Sequence, residues 1–101
     1  MSRDNMINSL PAPDQDLTQI IVVTTAGTPV QGPDVSDILG WYLKASVENT
    51  GIIYFMYHGQ TKANKGFPLS PGDMIFVPVE NLNSLDFDSS VNGEKIHASK
   101  Y

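Results

Sequence analysis

The stretch that most constrains this chain runs from Gly66 to Phe87, GFPLSPGDMIFVPVENLNSLDF, where a proline–glycine–aspartate turn stands directly before large apolar residues. Pro71 pre-sets φ for the second position of a β-turn, and Gly72 supplies the positive φ that a type II turn needs at the third. Met74 to Val79 then reads as a strand. Pro78 cannot donate a ladder hydrogen bond, so it belongs at an edge, a bulge or the strand's end. Upstream, Asn49-Thr50-Gly51 forms a turn in which Gly51 is able to take φ > 0, and it feeds a second strand from Ile52 to Tyr57. A chain punctuated in this way is a small all-β protein.

The remaining segments fit the same pattern. Thr18 to Thr25 is β-branched nearly throughout and predicts a strand buried on both faces. Ala26 to Pro29 breaks it, and Val30 to Asp34 reads as an edge piece or loop. The next segment is ambiguous, because Ile38, Leu39, Tyr42 and Leu43 suit a helix capped at Ser36. Gly40 would cost that helix about 1 kcal/mol, and Trp41, Leu43, Ala45 and Val47 alternate strictly, so a strand over 38–47 is expected. His58 to Gly66 is a polar loop, Phe67 to Leu69 re-enters the apolar layer, and Glu80 to Asn83 is a turn. Ser84 to Phe87 is a short strand, Asn92-Gly93 is a strong hairpin signal, and Glu94 to Tyr101 is the last strand. Short strands with turns roughly every 8–12 residues predict a single β-sandwich or jelly-roll-like domain over 18–101, with no helix longer than a turn.

Composition narrows the partners. With 101 residues the chain has room for one core. Its net charge is −5 and its six basic residues are scattered, so binding to nucleic acid through phosphates is not expected. No apolar run reaches the 18 or so residues of a membrane span, and no signal-peptide core precedes the first strand, so neither membrane insertion nor Sec-type export is expected. Cysteine is absent, which removes disulfides and thiolate metal sites.

Residues 1–17 are polar, contain Pro11 and Pro13, and lack a sustained period. They read either as a plain terminus or as an extended arm that docks Met6, Ile7, Leu10 and Leu17 on a neighbouring subunit. Fully extended, the segment reaches roughly 55 Å. Catalytic chemistry is sparse: His58 and His97 lack a second histidine at ligand spacing and read as solvated side chains. Asp14/Asp16 and Asp86/Asp88 are spaced to share a strand face, where they would hold Ca²⁺ or, as the plainer reading, form a solvated edge that discourages further pairing. No nucleophile–base pair or phosphate-binding loop is present, so no catalytic residue and no cofactor is expected. The aromatics Tyr54, Phe55 and Tyr57 suit core and subunit contacts, or ligand stacking.

The turn at Leu69 to Pro78 resembles the second motif of cupins, but the paired histidines of that family are missing. A closer resemblance runs through Leu43-Lys44-Ala45, Asn49 to Tyr54, Gly66 to Leu69, Pro71-Gly72-Asp73, Val77-Pro78-Val79, Asn81-Leu82-Asn83 and Val91 to Lys95. These segments resemble a small β-sandwich structural protein of tailed bacteriophages, similar to capsid decoration (cement) proteins. The resemblance covers residues 18–101 and implies a non-enzymatic role on the outer surface of the virion. It also implies binding to the major capsid protein and assembly as a homotrimer or homodimer, after synthesis in the host cytoplasm. On that expectation the arm (Met6, Ile7, Leu10, Leu17) and a sheet face bearing Tyr54 and Tyr57 make the contacts. The competing expectation is a receptor- or carbohydrate-binding module of a head or tail fibre.

Overall fold

A computed structural model describes residues 18–101. Eight strands follow one another: β1 (Thr18–Val23), β2 (Val30–Gln31), β3 (Trp41–Ala45), β4 (Ile53–Tyr57), β5 (Phe67–Leu69), β6 (Met74–Val77), β7 (Leu85–Ser89) and β8 (Glu94–Lys100). The helical content of the described residues is one turn, α1 (Lys62–Lys65), and a 3-10 turn at Leu82–Ser84. No described helix is long and apolar enough to cross a membrane.

The strands form two antiparallel sheets, ordered β1-β8-β3-β6 and β2-β7-β4-β5. Four of the pairings are nested: β4 with β5, β3 with β6, β2 with β7, and β1 with β8. The chain is therefore one long hairpin whose tip is the β4–β5 connection. Rolling it up adds the β3–β8 and β4–β7 ladders, which closes an eight-stranded jelly roll. The expected all-β, jelly-roll-like domain is the one found.

The core lies between the sheets, where Val23, Trp41, Leu43, Ile53, Leu85, Phe87 and Ile96 are fully buried. Each such large side chain stabilises the fold by about 1.5–3 kcal/mol through lost apolar exposure. Leu82, from the short 3-10 turn, also joins this core. The single tryptophan satisfies its ring N–H on the Glu80 carbonyl at 3.1 Å, as a buried indole requires. The Pro71-Gly72 turn closes as expected: Gly72 has φ +87°, and the Asp73 N–H donates to the Ser70 carbonyl at 2.9 Å.

Several expectations need correction. β1 is buried on one face only, since Ile20 and Val22 point outward and are exposed; an edge strand of one sheet has a single core side. The strand expected over 38–47 is confined to Trp41–Ala45, and Ile38, Leu39 and Val47 are exposed. Gly51 has no positive φ; it is small because a Cβ there would stand 2.5 Å from Ser90 Oγ. Asn92-Gly93 does not close a hairpin. It carries the chain from β7 in one sheet to β8 in the other, and Gly93 uses its positive φ for that crossing.

Candidate functional site: an uncovered sheet face

The two outer faces of the sandwich are built differently. On sheet β2-β7-β4-β5 the outward positions include Gln31, Asp86, Asp88, Tyr54 and Met56, and loops fold over them. Asp86 and Asp88 are buried, which corrects their reading as a solvated edge. The Asp86 carboxylate accepts from the Gly59 N–H at 3.0 Å and lies 2.8 Å from His58 Nδ1. Asp88 accepts from the Gly27 and Ser89 N–H groups at 2.8 and 2.7 Å. Lys62 of α1 reaches across to the Ser89 carbonyl, stands 3.9 Å from Asp88 and sits 5.9 Å above the Tyr54 ring. Both carboxylates therefore act as anchors that pin the β1–β2 turn and the hairpin tip onto this face. His58 is exposed, as expected of a solvated histidine, and its Nδ1 also meets the Asp86 carboxylate.

The opposite sheet, β1-β8-β3-β6, has no such cover among the described residues. Its strand register places Thr18, Ser99, Tyr42 and Phe76 in one row and Ile20, His97, Lys44 and Met74 in the next. Val22 and Lys95 begin a third. Tyr42, Phe76 and Tyr101 form an aromatic triad with centroids 5.2–5.8 Å apart. Met74 and Tyr101 are 62% and 63% exposed and Ile20 is 59% exposed, so hydrophobic surface is presented to water rather than packed. Four strands, each contributing about five residues, make a face of roughly 300 Å². Within it Ile20, Val22, Met74, Phe76 and Tyr101 are exposed, and apolar surface gathered on one face of a chain is often functional.

The charge on this face is also distinctive. Its outward strand positions carry Lys44, Lys95 and His97 and no carboxylate, in a chain of net charge −5. Glu48 stands at one end, where it lines a depression of about 390 Å³ with Lys44, Ser46, Val47 and His97. A second hollow of about 250 Å³ lies among Tyr42, Lys44, Met74, His97 and Ser99.

No protein-family model matches this chain, and neither a curated protein nor a solved structure is similar to it. The face has to be read from its own chemistry.

Of the residues singled out in the sequence, Met6, Ile7, Leu10 and Leu17 lie outside the described residues, as do Asp14 and Asp16. Tyr54 and Tyr57 do not share a surface, because residues three apart on a strand point to opposite sides. Tyr54 lies beneath Lys62, whereas Tyr57 is 65% exposed at the open end of the sandwich. There it lines a groove of about 490 Å³ with Phe55, Gln60, Lys65, Phe67 and Val77 among its walls. Among the described residues no three His, Asp or Glu side chains converge as metal ligands. Sequence reasoning missed the aromatic triad, since Tyr42 and Phe76 come from separate strands and Tyr101 follows the end of a third. A usable signal was present: Tyr42 and Lys44 on one strand, and Met74 and Phe76 on another, occupy the face opposite the core alternation.

Proposed function

We propose that this protein is a non-enzymatic structural protein of a virion, a decoration protein that docks on the shell of the major capsid protein through the outer face of β1-β8-β3-β6. The observation that carries the reading is the contrast between the faces: one is covered by anchored loops, the other leaves Ile20, Val22, Met74, Phe76 and Tyr101 exposed. Surface of this kind is stabilised by a partner. The resemblance of the turn and strand motifs to phage structural proteins supplies the setting, and the jelly roll is a fold found in viral capsid domains, which is support by analogy. Many weak contacts repeated around a closed shell add to firm attachment. Residues 1–17 contribute Met6, Ile7, Leu10 and Leu17 to the same junctions.

The test is co-sedimentation of the purified chain with capsid shells of the phage that encodes it. Phe76→Glu should keep the fold and abolish co-sedimentation, and deleting residues 1–17 should weaken it. Undiminished binding of Phe76→Glu overturns the assignment of the face. The groove beside Tyr57 supports a second reading, a carbohydrate-binding module, because exposed aromatic rings next to Gln60 and Lys65 suit sugar stacking. On that reading Tyr57→Ala abolishes binding to a glycan array, and an array that shows no binding by the unaltered chain removes it.

A further inference from the structure

We propose that, in the free protein, residues 1–17 lie across the outer face of β1-β8-β3-β6 of their own chain and surrender it on docking. The second half of this inference, the surrender, rests on the docking function proposed above; the first does not. Three observations carry it.

The first is where the segment joins the fold. Thr18 opens β1 in the same row as Ser99, Tyr42 and Phe76, and its hydroxyl lies 3.3 Å from that of Ser99. The segment therefore departs at the edge of the aromatic triad's own row. The second is reach. Three strand spacings span about 14 Å, which about five extended residues cover. The stretch from Leu10 to Leu17 exceeds that length.

The third is chemistry. The face offers apolar side chains around the two cations Lys44 and Lys95, with His97 between them and Glu48 bordering one end. The segment offers Met6, Ile7, Leu10 and Leu17, together with Asp4, Asp14 and Asp16 against a single Arg3. Apolar groups thus meet apolar groups, and carboxylates meet the lysines. A second copy stacked face to face would instead bring the lysines Lys44 and Lys95 towards those of its partner, a like-charge contact that costs affinity. Tethering raises the effective concentration of the segment to the millimolar range, so a weak contact suffices to hold it. A weak contact is also what a shell can displace, since a ligand shifts such an equilibrium only by its differential affinity.

The experiment uses the free full-length chain. Because the sequence contains no cysteine, Ser9→Cys accepts one nitroxide label at a defined place. Amide signals of Tyr42, Lys44, Phe76 and His97 should broaden in the labelled, isotope-enriched chain and recover when the nitroxide is reduced. Tyr54 and Asp88, in the sheet about 10 Å farther from the label, should broaden less. The double substitution Asp14→Asn with Asp16→Asn should lower the broadening at least threefold, as should raising the salt to 1 M, where the Debye length shrinks to about 3 Å. A sample mixing labelled, unenriched chains with unlabelled, enriched ones should show no broadening. Broadening of comparable size in the mixed sample places the segment on a second copy and overturns the proposal, as does an outer face that never broadens. No capsid is involved, so failure here leaves the docking reading standing, and failure of co-sedimentation leaves this one.

Discussion

Glu94 offers the sharpest test of how the sandwich is held together. It is the first residue of β8, is 4% exposed, and its side chain points to the inner side of the sheet. Its carboxylate accepts from the Gly51 N–H at 2.9 Å and from the Thr50 N–H at 3.3 Å. It therefore ties the β3–β4 connection to the strand at the centre of the opposite sheet. A hydrogen bond to a charged group contributes about 1.5–3 kcal/mol, and a donor left without a partner costs about 1–3 kcal/mol. Removing a buried carboxylate also returns its desolvation cost, which offsets part of the loss. For Glu94→Ala the net expectation is a destabilisation of about 2–4 kcal/mol, a large share of the 5–15 kcal/mol typical of a domain. Glu94→Gln keeps one oxygen for Gly51 and should lose about 1 kcal/mol. Urea unfolding followed by the fluorescence of Trp41 measures both. With a slope of about 1–1.5 kcal/mol per molar for a chain of this size, the alanine midpoint should fall by about 1.3–4 M. A shift under about 0.4 M would show that water replaces the carboxylate at no cost, and the anchoring argument would be wrong.

Gly40 has φ +126°, and a Cβ there would stand 2.7 Å from the Phe76 ring and from the Val77 carbonyl oxygen. Gly40→Ala should therefore destabilise by at least about 2 kcal/mol, read as a fall in Tm of about 8 °C or more; a Tm within about 2 °C of the unaltered chain refutes the clash. Leu82→Ala removes a fully buried side chain from the 3-10 turn and should cost about 2–5 kcal/mol, measurable by the same urea titration; a cost below about 1 kcal/mol would mean that the turn collapses onto the gap. Asp86→Ala takes the acceptor away from the Gly59 N–H and His58. Hydrogen exchange should accelerate through 58–66 while the β3 and β8 amides keep their protection, because local opening needs only the anchor to be lost. Equal acceleration in both regions would make Asp86 a global rather than a local support.

The local chemistry of the turns was legible in the sequence, and so were most of the strands they separate. Pro71-Gly72 can close only as it does, because proline fixes φ at one position and glycine alone tolerates φ +87° at the next. The alternation of Trp41, Leu43 and Ala45 likewise fixed which side of β3 is core, since side chains on a strand point alternately to its two faces. The partners of the strands were not local. Asn92-Gly93 is a hairpin signal in isolation, yet β7 and β8 lie in different sheets, because rolling up the long hairpin gives β8 better partners in β1 and β3. Asp86 and Asp88 read as solvated because carboxylates are costly to bury alone. Their acceptors are satisfied by N–H groups from Gly59, Gly27 and Ser89 and by His58, of which only Ser89 is adjacent in the chain. The candidate docking face has the same origin: Tyr42, Phe76 and Tyr101 become a surface only when three strands are laid side by side. Residue pattern alone thus determined an all-β sandwich with its turns and core alternation. Tertiary structure decided which face is covered and which is left open, because burial is settled by contacts between segments far apart in the chain.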